Sequence, residues 1–254
     1  RSAGISSPIL ILEGPLCKQD FAIAEQENFW LMLHNKVQLN WLIKCSTPFS
    51  KKLWIKVDTG MNRLGFMPTN IDNIVNSLSN EQQQNLVLCT HFSNSEALDN
   101  PKTLAQIASF HSVADQFPCQ TSLANSAGIL HWQQSHADYN RLGIALYGTP
   151  PSTSNELPVT LTPVMSLQST IIALRDLDIG DKVGYGETWQ ATRSSRIATI
   201  AIGYADGYPR DAKTGTPVWV NGQLAPLVGR VSMDMITVDV TELSQVQIGD
   251  MVEL

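Results

Sequence analysis

From Pro8 to Gly148, short apolar runs alternate with helical patterns, which restricts this part of the chain to a parallel sheet wrapped by helices. Six runs read as strands: Ile9 to Glu13, Phe29 to His34, Lys52 to Asp58, Leu86 to Phe92, Thr121 to Asn125 and Gly143 to Tyr147. Between the third and fourth, Thr69 is placed to cap a helix whose Ile71, Ile74, Val75 and Leu78 share one core-facing stripe. Another helix is expected from Pro101 to Phe117, with Leu104, Ile107, Ala108 and Phe110 on or near its buried side. A closed (β/α)8 barrel needs eight strands, and an open parallel sheet would expose two unpaired edges. The expectation is therefore a partial barrel, truncated at both ends, since Gly249 to Leu254 also stops in mid-strand.

The texture changes at Thr149-Pro150-Pro151-Ser152-Thr153-Ser154-Asn155, a polar, proline-containing break. Beyond it, Val164 to Leu174, Arg196 to Ile202, Val218 to Val220 and Ile236 to Val240 are rich in Val, Ile and Thr, and Asn221-Gly222 is a two-residue hairpin signal. Residues 1–155 are thus expected to form the barrel part and residues 156–254 a mostly β C-terminal domain. Ile179-Gly180-Asp181-Lys182-Val183 recurs as Ile248-Gly249-Asp250-Met251-Val252, a repeat of turn chemistry rather than of a whole unit.

Composition narrows the function. A net charge of -6, with Lys and Arg scattered, argues against a nucleic-acid surface and against anionic membranes. No apolar run approaches the ~18 residues that span a bilayer. Cys17, Cys45, Cys89 and Cys119 form no C-x-x-C pair, and free thiols in a reducing compartment are expected. His34, His91, His111, His131 and His136 lack zinc-ligand spacing, so no metal is expected.

Polar clusters follow the strands in order. Lys56-Val57-Asp58-Thr59-Gly60-Met61-Asn62-Arg63-Leu64-Gly65 breaks from a buried strand into a loop of charges and glycines, as a site at the end of a parallel strand does. His91 with Ser93 and Asn94 follows the fourth strand, and Ala124-Asn125-Ser126-Ala127-Gly128 follows the fifth. A hydroxyl and a glycine opening a helix suit a phosphate, while Ser126 as a plain N-cap is the alternative.

These strings, with Arg141-Leu142-Gly143, Gly184-Tyr185-Gly186-Glu187-Thr188, Ile202-Gly203-Tyr204-Ala205-Asp206-Gly207-Tyr208-Pro209-Arg210 and Val228-Gly229-Arg230-Val231-Ser232-Met233-Asp234, resemble the bacterial alanine racemases across nearly the whole chain. The resemblance implies a barrel followed by a β domain, pyridoxal phosphate (PLP) in the barrel mouth, alanine as substrate, and a cytoplasmic homodimer with shared active sites. It implies interconversion of L- and D-alanine by two-base proton transfer, supplying D-alanine for peptidoglycan. A broader-specificity amino-acid racemase or a non-catalytic PLP-binding relative is the alternative.

Residue by residue, the resemblance makes Tyr185 the base that takes the α-proton of L-alanine. A phenol ionises near ~10 and needs a neighbour to lower its proton affinity. His91 matches the histidine placed for that, in a chain from tyrosine through histidine to arginine. Arg141 matches the arginine at the pyridine nitrogen, which cannot hand its proton to the ring. Asn125, Ser126, Gly143 and Ile144 match the cofactor segment, the last two through backbone N–H groups to the phosphate. Arg63 matches the arginine near the cofactor's phenolic oxygen and the substrate carboxylate. Lys56 matches a lysine that some members carbamylate, and a plain Lys56 paired to Asp58 stays open beside that. Met233 and Asp234 match a segment inserted by the partner subunit, and Tyr204 the tyrosine where substrate comes in. Ser232 stands where many relatives have cysteine. The family's Lys-Ala-Asn-Ala-Tyr-Gly-His-Gly type segment, whose lysine forms the Schiff base, has no match in these residues, so the segment alone is expected to be inactive.

Overall fold

The computed structural model describes residues 2–45, 49–151 and 157–254. The chain forms two compact units, Arg1–Pro163 and Val164–Leu254. Part of the expected break, and the expected boundary at 155, lie outside the described residues.

In the first unit, β1 (Ile9–Ile11), β2 (Phe29–Leu33), β3 (Leu53–Lys56), β4 (Leu86–Cys89) and β5 (Gln120–Ser122) form a five-stranded parallel sheet in sequential order. Helices α1 (Asp20–Glu27), α2 (Lys36–Ile43), α3 (Ile71–Asn76), α4 (Asn80–Gln84), α5 (Lys102–Ala114) and α6 (Ser126–His131) lie between and after them. Side chains alternate across a strand, so each run feeds two layers. Leu31, Leu53 and Leu86 stand side by side in register and pack with Phe21, Leu39, Ile71, Ile74 and Phe110 of the helices. Each such side chain, fully buried, contributes roughly 1.5–3 kcal/mol against the entropy of ordering. On the opposite face Met32, Trp54 and Val87 form a separate cluster. Two residues further along, Lys56, Cys89 and Ser122 make the next row on that face.

Three expectations change. The run from Gly143 to Tyr147 is no sixth strand: Ile144–Tyr147 is a 3-10 turn with Ile144, Leu146 and Tyr147 more than half exposed. Its Gly143 and Ala145 amides point at the Ser126 hydroxyl instead of a neighbouring strand. Thr69 caps nothing, because Pro68, with its φ preset for a helix, starts a 3-10 turn at Pro68–Asn70 that runs into α3. The stripe of Ile71, Ile74, Val75 and Leu78 is buried as expected. In α5, Ile107 and Phe110 are buried, but Leu104 and Ala108 are exposed, and the polar Thr103 and Gln106 take their place inside.

The second unit is antiparallel. Strands β6 (Gln168–Leu177), β7 (Lys182–Val183), β8 (Trp189–Gln190), β9 (Ser195–Ile200), β10 (Pro217–Val220), β11 (Gln223–Pro226), β12 (Ile236–Asp239) and β13 (Met251–Glu253) follow in the chain. Six of them pair in the order β11-β10-β13-β6-β9-β12, and β7 pairs with β8 as a small hairpin. Ile171, Ile200, Val218, Val220, Val238 and Val252 form its core. Val220 pairs with Gln223 across Asn221 and Gly222, whose φ values of 49° and 75° are those of the tight hairpin turn that matches strand twist. The repeated turn phrase has a shared cause. Asp181 Oδ2 accepts the Asp178 amide at 3.0 Å, and Asp250 Oδ2 accepts the Gln247 amide at 2.8 Å.

Candidate active site

The loop after β3 is closed at its neck. The Asp58 amide donates to the Phe66 carbonyl and the Phe66 amide to the Lys56 carbonyl, both at 2.8 Å. Gly65 makes this closure possible: its φ is +127°, and a Cβ there would lie 2.8 Å from the Asp58 nitrogen. Asp58 Oδ1 accepts the amides of Gly60, Met61 and Asn62 at 3.0, 3.0 and 3.1 Å. Asp58 is therefore a loop cap and not the partner of Lys56, and among the described residues no ion pair includes Lys56.

Lys56 is buried on the inner face of the sheet, and that burial, with Arg141 and Arg63 nearby, lowers its pKa from the ordinary lysine value. Arg141 reaches across the same row. Its Nη1 donates to Ser122 Oγ, and its Nη2 to the carbonyls of Thr90 at 2.6 Å and Leu123 at 3.2 Å. Nη2 also meets His91 Nδ1 at 3.4 Å. Burial, then the positive charges of Arg141, Lys56 and Arg63, push the His91 pKa down to about 4, so its ring is neutral at pH 7. A guanidinium only donates, so Nδ1 accepts and the single ring proton sits on Nε2.

The cluster after the fifth strand removes one reading of Ser126. Asn125 is the N-cap of α6, its Oδ1 accepting from Gly128 N and from Ser95 Oγ, both at 2.9 Å. Ser126 is not the cap. Its hydroxyl, in a residue only 4% exposed, receives the amides of Gly143 at 2.9 Å and Ala145 at 3.3 Å. A Cβ on Gly143 would stand 3.6 Å from that hydroxyl, in the space before it.

A cavity of about 800 Å³ collects Lys56, Arg63, His91, Asn125, Ser126, Arg141, Gly143 and Ile144, together with Glu13, Cys89 and Glu96. The second unit gathers the rest of the expected set. Tyr185, Tyr204 and Met233 line a cavity of about 370 Å³ with Arg210, Arg230 and Ser232. Tyr185 opens a 3-10 turn between Gly184 and Gly186, both at φ 73°, and is 72% exposed. The Tyr204 amide donates to the Ser232 carbonyl at 3.1 Å and the Ala205 amide to the Met233 carbonyl at 2.9 Å. Arg210 stacks over the Tyr204 ring at 5.3 Å. The sequence alone gives Arg210 and Arg230 no role. Ser122 and Gln106 were missed, the one visible signal being a polar residue inside the apolar stripe of α5.

A parallel sheet with cations at the C-terminal ends of its strands, and a hydroxyl set among backbone amides, defines a barrel-type enzyme for a small anionic ligand. Comparison with known proteins makes this specific. Residues 1–151 match the family model for the alanine racemase N-terminal domain, and residues 164–254 the model for its C-terminal domain. The alanine racemase of Alteromonas mediterranea is 44% identical over 254 residues, covering 100% of this chain and 71% of the relative. The crystal structure of the biosynthetic alanine racemase from Pseudomonas aeruginosa superposes with a TM-score of 0.93 at 40% identity, covering 100% of this chain and 72% of that one. An alanine racemase from Bartonella henselae with covalently bound pyridoxal phosphate gives 0.85 at 33% identity, with coverage of 100% and 72%. The chain belongs to the alanine racemase family of PLP-dependent isomerases, which interconvert L- and D-alanine.

The donor set suits PLP. Three cations, Lys56, Arg63 and Arg141, face the cavity, and none of them has a carboxylate at ion-pair distance among the described residues. The Ser126 hydroxyl accepts two amides and so keeps its own O–H as a donor of the kind a phosphate takes. Among the described residues no helix is long and apolar enough to cross a membrane.

Proposed function

We propose that this chain's first unit holds the cofactor of an alanine racemase and its second unit supplies the tyrosine base. The observation that carries this is the contact between Arg141 and a neutral His91, in one cavity with the Ser126 hydroxyl. When bound, PLP supplies an electron sink that acidifies the substrate's α-carbon. Ser126, Gly143 and Ile144 would hold its phosphate beside Asn125, and Arg141 would face its ring nitrogen. A guanidinium keeps its proton, so Arg141 would offer that nitrogen a hydrogen bond and no transferable proton, which would favour returning a proton to the α-carbon.

In the forward direction Tyr185 removes the α-proton of L-alanine. His91 offers its Nε2–H to the phenol oxygen, and Arg141 fixes that tautomer from the other side of the ring. Arg63 and the Met233 backbone N–H take the substrate carboxylate, and Tyr204 stands where substrate comes in. Lys56, a buried amine of lowered pKa, can accept carbon dioxide: the C–N bond forms, one proton leaves, and the carbamate is an anion beside Arg63. Tyr185, Tyr204 and Met233 share one cavity, so the partner subunit that delivers Met233 and Asp234 of a homodimer delivers Tyr185 with them. The enzyme works in the bacterial cytoplasm, and its D-alanine supplies the peptidoglycan of the cell wall.

The test has two arms. These 254 residues contain no Lys-Ala-Asn-Ala-Tyr-Gly-His-Gly type segment, and with PLP and L-alanine alone they yield no D-alanine; measurable formation would overturn that assignment. Joined to a lysine-bearing segment from a relative, the complemented enzyme racemises alanine, and His91→Asn lowers its rate at least about tenfold. Comparable rates on larger amino acids would favour a broader racemase instead.

A further inference from the structure

Gln106 lies on the core face of α5, only 1% exposed, where an apolar residue would be expected. A buried amide must satisfy two donors and its acceptor oxygen. This one does so entirely on the two loops of the site. Its Nε2 donates to Thr59 Oγ1 at 3.2 Å and to the His91 carbonyl at 3.1 Å. Its Oε1 accepts the Ser93 amide at 3.0 Å and the Ser93 hydroxyl at 3.2 Å. Thr59 Oγ1 in turn meets Thr90 Oγ1 at 2.7 Å, and the Thr90 carbonyl is a seat of Arg141. The side chain of Gln106 also packs under the loop that carries Arg63: a Cβ on Gly60 would lie 4.0 Å from Gln106 Cγ.

We propose that Gln106 is a positioning residue for the reaction: it ties the Thr59 loop to the His91 loop and holds His91 in reach of Arg141. It touches neither cofactor nor substrate. It acts because the contact it protects is long. At 3.4 Å the bond between His91 Nδ1 and Arg141 Nη2 is near the limit of a hydrogen bond, and a displacement of a few tenths of an ångström breaks it. Without that donor no group at Nδ1 keeps the ring proton on Nε2, and the neutral ring populates both tautomers. This inference rests on the role given to His91 above, but its first readout does not.

Long-range 15N–1H correlation spectra of His91 in the full chain report the tautomer directly. The native chain is expected to show a single form with the proton on Nε2. Gln106→Glu keeps the length and the acceptor contacts to Ser93 but has no N–H for Thr59 or the His91 carbonyl; Gln106→Leu removes all of them. Both are expected to show mixed tautomers, and in the lysine-complemented enzyme to lower kcat roughly tenfold to a hundredfold with KM little changed. Single-tautomer spectra and native kcat in a folded Gln106→Glu chain would overturn the proposal. Should both variants fail to fold, Thr59→Val decides, since it removes one acceptor of Gln106 and leaves the amide in place; a native tautomer there counts against the proposal. If His91→Asn leaves the rate intact while Gln106→Glu still mixes the tautomers, the assignment of His91 fails and the positioning role stands.

Discussion

Lys56, Ser122 and Arg141 are held inside the first unit, the arginine by a hydroxyl and two carbonyls of other strand ends. Tyr185, Tyr204 and Met233 stand on the second unit with 72%, 37% and 54% of their surface exposed, and what holds them is backbone: turns, glycines and the pairing of residues 204–205 with 232–233. In the first region the same bonds set both position and stability. In the second, the Tyr185 side chain makes no hydrogen bond or ring contact among the described residues, and its removal should report on chemistry alone.

The largest effect separates the two on activity. Tyr185→Phe in the complemented enzyme is expected to lower racemisation by about 10²–10⁴-fold, while chemical denaturation of the chain shifts by less than about 0.5 kcal/mol. Arg141→Leu should do the opposite in kind. It leaves the Ser122 hydroxyl and the Thr90 and Leu123 carbonyls without their donor, at about 1–3 kcal/mol for each that water cannot reach. Equal stability losses in the two variants would erase the contrast. Gly203→Ala tests the backbone side: the new methyl would sit 2.2 Å from the Met233 carbonyl oxygen, and overpacking of this kind costs about 1–3 kcal/mol, read as a lower unfolding midpoint.

Acid distinguishes the regions more gently. The His91 pKa lies at about 4 in the fold against an ordinary 6.5. As pH falls through that window the unfolded chain binds a proton that the folded chain does not, so stability present above about 6.5 is lost towards 4. His91→Asn should flatten that slope, and an unchanged pH–stability profile in the variant would refute the assignment. Smallest of all, Leu104→Gln on the exposed side of α5 should stay within about 0.5 kcal/mol of the native chain.

What was legible in the sequence follows periodicity and local chemistry. Five of the runs read directly as strands, and Ile71, Ile74, Val75 and Leu78 as core, because a packed face imposes its period on the residues. Asn221-Gly222 announced its hairpin because few residue pairs accept those angles. The run at Gly143 to Tyr147 misled because a short apolar string looks alike as strand or as turn, and only the distant Ser126 hydroxyl decides its backbone. Asp58 shows the same limit: its charge left a lysine partner open, and three nearby amides claim its carboxylate. Gln106 stood out only as a polar residue on an apolar stripe; its role was unreadable because its partners come from Thr59, His91 and Ser93, a meeting that topology makes and no spacing encodes.

The closed neck of the loop between Lys56 and Phe66 has a dynamic consequence. With both hydrogen bonds at the base intact, the tip bearing Arg63 and Leu64 can swing without unzipping β3, so motion there is insulated from the sheet. Hydrogen exchange should then divide within a few residues, the Asp58 and Phe66 amides trading slowly and the Arg63 amide fast.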